Sequence, residues 1–163
     1  MDGGSTSPWI EAAESLVGTE AETAADEAGF PQACVDLLRG AGLRPTRQRL
    51  MLSQFLFAGG NRHVTADMVY VAAVEANLPV SRATVYNTLN QLTEAGLLRQ
   101  IGVDGSRSFF DTTPTNHHHF FVSDENHLFD VPEPGVEFST LPEPLPGYEI
   151  AGVDVIVHLR RTS

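Results

Sequence analysis

Residues 81–111 read SRATVYNTLNQLTEAGLLRQIGVDGSRSFFD, and a change of period inside this stretch decides the fold. Ser81 is suited to cap a helix Arg82–Ala95, and Gly96 closes it. Val85, Leu89 and Leu92 fall at i, i+4 and i+7 and form one apolar stripe. Arg82, Tyr86, Asn87, Asn90 and Gln91 point elsewhere. From Leu97 the period shortens: Leu97–Val103 and Ser106–Asp111 flank Asp104-Gly105, a two-residue hairpin signature.

Working backwards, Thr65 caps Ala66–Ala76, with Met68, Val69, Val71 and Val74 available for burial, and Asn77-Leu78-Pro79 ends it. Thr46 caps Arg47–Ala58, where Leu50, Met51, Phe55 and Phe57 recur near helical spacing before Gly59-Gly60. A short helix from Cys34 to Gly40 leads into Gly42. Three helices followed by a hairpin predict a winged helix-turn-helix, with the third helix for recognition and the hairpin as the wing.

Beyond Pro114 the texture differs. His119–Ser123 and His127–Val131 read as a hairpin around Glu125-Asn126. Pro132, Pro134, Pro142, Pro144 and Pro146 exclude a long helix. Tyr148–Leu159 alternates through Val153, Val155, Val157 and Leu159 like a half-buried strand. The expected class is α+β: a winged helix-turn-helix, then a small α/β domain dominated by antiparallel strands. The expected divisions are an acidic flexible tail (1–31), the winged helix (32–112) and the second domain (113–163). Within the tail, Ser7-Pro8-Trp9 opens a short helix with Trp9, Ile10, Ala13, Leu16 and Val17 on one side.

The 163 residues carry ten basic and 21 acidic side chains, a net charge of −11. All ten basic residues are arginine. Residues 1–38 hold eight acids and no base, and residues 39–107 hold eight arginines against Asp67, Glu75, Glu94 and Asp104. A basic block between acidic flanks is a local footprint for a phosphate backbone. One cysteine, Cys34, excludes an internal disulfide and a CxxC zinc ribbon. No apolar run has membrane-spanning length, and Met1–Glu20 lacks the basic residues of a targeting peptide, so the expected compartment is the cytoplasm.

A helix enters the major groove and reads bases with side chains near its N-terminus. Arg82 suits guanine, Tyr86 a thymine methyl and Asn87 adenine. Arg44, Arg47 and Arg49 suit phosphates, and Arg99 and Arg107 place one cation on each arm of the wing. With Thr46 and Thr84 these are the candidate DNA contacts. Separately, His117-His118-His119 entering a strand puts His117 and His119 on one face and His118 on the other. With His63, Asp111 and Asp130 they make a mixed nitrogen and oxygen set suited to Fe²⁺, Mn²⁺ or Zn²⁺. His-x-His also suits the iron of a heme, for which Phe109, Phe110, Phe120 and Phe121 are core or a pocket wall. An oxygen-activating enzyme would need a substrate pocket that nothing in the sequence suggests, so no enzyme is expected.

The ordered motifs Gly42-Leu43-Arg44-Pro45-Thr46-Arg47-Gln48-Arg49, Asn61-Arg62-His63-Val64-Thr65-Ala66, Ala83-Thr84-Val85-Tyr86-Asn87-Thr88-Leu89-Asn90 and Glu94-Ala95-Gly96-Leu97-Leu98 carry a resemblance. With the triple histidine after them, residues 35–159 resemble the ferric uptake regulator family. The resemblance implies a homodimeric transcription regulator on double-stranded, AT-rich promoter DNA, with a C-terminal dimerisation and sensing domain. Its inter-domain metal site falls on His63, Asp111, His117, His119 and Asp130. A second metal site falls on Asn116, His118, Glu137 and Val153 and has lost its ligands. Val122 and Glu125 stand where the family's first structural CxxC would be.

These departures are most similar to the iron response regulator branch of alphaproteobacteria. That branch implies activity when iron is scarce, heme at His117, His118 and His119, and a heme-delivering protein as a further partner. The alternative within the family is a peroxide- or metal-sensing repressor using the same five ligands.

Overall fold

The computed structural model describes residues 29–162. The helix expected around Trp9 and most of the acidic tail lie outside them. The chain forms two compact units, one up to Pro114 and one from Thr115.

The first unit runs α1 (Gln32–Gly40), α2 (Arg47–Phe57), β1 (His63–Val64), α3 (Ala66–Glu75), α4 (Arg82–Glu94), β2 (Arg99–Gly102) and β3 (Ser108–Asp111). The hydroxyls of Thr46, Thr65 and Ser81 accept from the backbone N–H of Arg49, Met68 and Thr84, so each of three helices starts on a side-chain cap. Leu38, Leu50, Leu52, Phe55, Leu56, Val69, Val85, Leu89, Leu92 and Phe110 close one core among the helices and the sheet. The strands order β1-β3-β2, with β3 antiparallel to both neighbours. This is the expected winged helix.

Two local expectations fail. On α3 only Val69 and Ala73 are buried, while Met68, Val71 and Val74 are 38%, 51% and 51% exposed. A helix on the outside of a bundle buries one stripe, and these three side chains fall on the opposite arc. The wing turn is also longer than two residues. Val103 N–H donates to the Arg107 carbonyl at 3.1 Å, leaving Asp104–Ser106 in the loop. Asp104 Oδ1 accepts from the Ser106 and Arg107 backbone N–H groups and the Ser106 hydroxyl, and Gly105 takes φ of 74°. The aspartate side chain organises its own turn in place of a two-residue one.

The second unit is a sheet ordered β5-β4-β6, from β4 (His119–Val122), β5 (His127–Asp130) and β6 (Ile156–Leu159). β5 is antiparallel and β6 parallel to β4. Asn126 closes the β4–β5 turn with φ of 48°. The long strand expected from Tyr148 contracts to Ile156–Leu159. β4 offers four ladder positions, and the chain ahead of β6 runs largely exposed, with Tyr148 at 74%. No helix forms in residues 132–147.

Candidate functional site

In the first unit the register of β1 on β3 sets His63 opposite Asp111. Asp111 is fully buried, and its Oδ2 lies 3.6 Å from His63 Nε2. Its other oxygen accepts from Thr113 N–H at 2.7 Å. Below the pair, Arg62 N–H donates to Thr112 Oγ1 at 2.9 Å, and Thr112 N–H returns a bond to the Arg62 carbonyl at 3.0 Å. Arg62 Nη1 also reaches the Phe55 carbonyl at 3.3 Å, and burial lowers its guanidinium pKa from the ordinary value. These bonds tie the His63 loop to the end of β3.

In the second unit β4 pairs His119 with Asp130 of β5. Asp130 Oδ1 lies 3.0 Å from His117 Nε2 and 3.7 Å from His119 Nε2, and the two rings are 4.5 Å apart. One ligating atom from each of these three residues lies within 4.8 Å of the others. His117 Nδ1 is 2.8 Å from the Thr115 carbonyl, an acceptor that favours a proton on Nδ1. His118 is turned elsewhere: its Nδ1 accepts from Val155 N–H at 3.3 Å, and its ring meets the edge of Phe138. The triple histidine thus divides, with His119 as the first residue of β4 and His117 and His118 ahead of it.

The donor chemistry of each set fits a hard or borderline divalent ion. Two ligand atoms about 2.1 Å from one ion lie about 3.0 Å apart at a right angle and about 3.4 Å apart at the tetrahedral angle. The separations of 3.0, 3.6 and 3.7 Å between ligand pairs are close to that range. Each set combines imidazole nitrogen with carboxylate oxygen and has no thiolate. Phe109 and Phe110 are adjacent and buried on β3 of the first unit, whereas Phe120 and Phe121 belong to β4 of the second.

The candidate DNA-reading residues all lie in the first unit. Tyr86 is 51% exposed and Asn87 is exposed beside it on α4. Arg82 is ion-paired with Asp67 of α3, and its guanidinium sits 4.4 Å over the Tyr70 ring. Thr84 Oγ1 is 2.8 Å from Ser81 Oγ, within the cap. Arg44 and Arg47 are exposed at the start of α2. Arg49 is inward: Nε donates to Gln91 Oε1 of α4 at 3.0 Å and Nη1 to the Arg44 carbonyl at 2.8 Å. Arg107 pairs with Asp104 at 2.6 Å in the wing, and Arg99 lies on β2. Sequence reading missed Asp67, Tyr70, Gln91, Thr113 and Thr115 as orienting groups. Only Thr113, two residues after an aspartate, carries a recognisable local pattern.

The model of the ferric uptake regulator family matches residues 40–144. A ferric uptake regulation protein from Pseudomonas fluorescens is 37% identical over 101 residues, 61% of this chain and 82% of that relative. A ferric uptake regulator from Pseudomonas aeruginosa, solved with manganese, superposes with a TM-score of 0.59 at 26% identity, over 78% of this chain and 97% of that one. The Vibrio cholerae ferric uptake regulator gives a TM-score of 0.61 at 19% identity, covering 78% and 98%.

Proposed function

The chain belongs to the ferric uptake regulator family of transcription regulators, and from that premise we propose that it is a homodimeric DNA-binding regulator controlled by a divalent metal ion. The proposed ligands are His63 and Asp111 of the first unit with His117, His119 and Asp130 of the second. The observation that carries this reading is the convergence of His117, His119 and Asp130 in one half-site.

When bound, the ion would supply a positive centre for these imidazoles and carboxylates. The chain's own groups prepare the ligands: the Thr113 N–H orients Asp111, and the Thr115 carbonyl orients His117. A ligand shifts the balance of DNA-binding states only by its differential affinity for them. Dimerisation is assigned to the second unit, which exposes Phe129 (46%), Leu145 (71%), Tyr148 (74%) and Ile150 (43%). Arg44 and Arg47 would hold phosphates, while Tyr86 and Asn87 read an AT-rich groove.

The division of the triple histidine supports an ion over heme, because His118 is committed to Val155 N–H and Phe138. The test is a calorimetric titration of the metal-free chain with Mn²⁺, Fe²⁺ and Zn²⁺, and separately with heme. It is run on wild type and His117→Ala/His119→Ala, with promoter DNA binding followed in parallel. Saturable Mn²⁺ or Fe²⁺ binding that is lost in the double variant and changes DNA affinity supports the reading. A Soret shift that vanishes in the double variant, with DNA binding lost on heme addition, replaces the ion by heme and assigns the chain to the iron response regulator branch.

A further inference from the structure

Arg82 opens α4, the helix that carries the exposed Tyr86 and Asn87. A cation in the first turn of a helix opposes the helix dipole, which favours negative charge there. Two groups of α3 hold this one. The Asp67 carboxylate pairs with Nη1, and the guanidinium carbon lies 4.4 Å from the centroid of the Tyr70 ring. Tyr70 is itself packed against the core of the first unit, so its ring is an anchored platform. Among the described residues no other group bonds this guanidinium.

An exposed ion pair adds little stability, and the side chains of Arg82 and Asp67 are 60% and 77% exposed. The effect of the pair is on orientation. A guanidinium is a planar fork whose donors match a bidentate acceptor. With Nη1 given to Asp67 and the fork held over Tyr70, the edge made by Nε and Nη2 is left for a ligand. Guanine presents two acceptors, O6 and N7, side by side in the major groove. A phosphate needs only a nearby positive charge, whereas a base edge rewards a fork that is already oriented.

We propose that Arg82 makes a bidentate contact to one guanine in each half-site of the operator, with Asp67 and Tyr70 as the positioning residues that set this specificity. The proposal rests on the regulator reading. Arg82 and Tyr86 stand four residues apart, about 6 Å along α4 and about two base-pair steps of DNA. The operator therefore carries a G·C pair close to the pairs read by Tyr86 and Asn87, within an otherwise AT-rich site.

The test is selection of duplexes from a randomised library by the full chain, with and without Mn²⁺, followed by sequencing. Wild type is expected to favour guanine about 10-fold or more over the other bases at one position of each half-site. Arg82→Lys keeps the charge and loses the fork, so it should lose that guanine and keep the rest of the site. Asp67→Ala should weaken the same preference several-fold and leave the urea midpoint nearly unchanged. Tyr70→Leu, which keeps an apolar side chain against the core, should weaken it as well. A selected site with no guanine that depends on Arg82, or a guanine preference indifferent to both α3 variants, overturns the proposal and leaves the regulator reading standing. Tighter binding by Asp67→Ala with base preference unchanged makes Asp67 a repelling charge only, and also overturns it. If wild type selects no sequence, the regulator reading fails and the proposal with it.

Discussion

Asp111 faces His63 across the β1–β3 ladder with Oδ2 3.6 Å from Nε2, and its second oxygen is held by the Thr113 N–H. A fully buried carboxylate in that setting is positioned on both oxygens. Asp111→Asn keeps the shape and removes the charge that a divalent ion needs. We expect Mn²⁺ affinity to fall by at least the roughly 10-fold to 100-fold that altering a mere orienting partner of a ligand costs. Calorimetric titration checks this, and unchanged affinity would remove Asp111 from the ligand set.

Arg47 and Arg49 lie two residues apart but have different work. Arg49 joins α2 to α4 through Gln91 and braces the Arg44 carbonyl, whereas Arg47 is exposed. Arg49→Ala should lower unfolding stability by about 1–2 kcal/mol, the scale of lost hydrogen bonds from a charged donor. Arg47→Ala should leave the urea midpoint unchanged, weaken DNA binding on all sequences, and lower the salt slope by about 1. The opposite pattern in denaturation and salt titrations would exchange the two roles.

The wing turn depends on one ionised side chain. The Asp104 carboxyl is held below the usual carboxylate range, first by the Ser106 hydroxyl and then by Arg107 and backbone N–H bonds. A carboxylate with a lowered folded pKa stabilises the fold above its ordinary pKa. That contribution is lost as pH falls through the lowered value. Acidification from neutral pH should therefore leave the turn intact until below about pH 4. Ser106 and Arg107 amide resonances should then move together. Asp104→Ala should show the loosened turn already at neutral pH, and a turn indifferent to both changes would sink the account.

Much of this architecture was legible because local rules act alone where they are strong. Three hydroxyl caps, the Val85, Leu89 and Leu92 stripe and strand alternation around the triple histidine all act within a few residues. The exposure of Val71 and Val74 was not legible, since apolar content does not say which arc of α3 meets the core. Nor was the contraction of the last strand, because its length is limited by β4 and not by its own valines. The cross-strand pairs His63 with Asp111 and His119 with Asp130 required a register, which spacing alone leaves open. The inward turn of Arg49 followed from Gln91, 42 residues away.

His118 separates the two effectors. Its Nδ1 accepts from Val155 N–H at 3.3 Å, and that bond anchors the chain just ahead of β6. His118→Ala should cost about 1 kcal/mol of stability from the lost acceptor, and increase amide exchange at Val155. It should leave Mn²⁺ affinity within about twofold, since neighbours outside a ligand set with no bond to it have little leverage. His119→Ala, which removes a buried imidazole facing Asp130, should abolish saturable Mn²⁺ binding. A regulator using heme gives a different pattern, in which His118→Ala weakens the Soret response as much as its neighbours do. Equal loss of Mn²⁺ binding in both single variants would mean that all three histidines turn toward the ion in solution, against the contact that His118 makes with Val155 N–H.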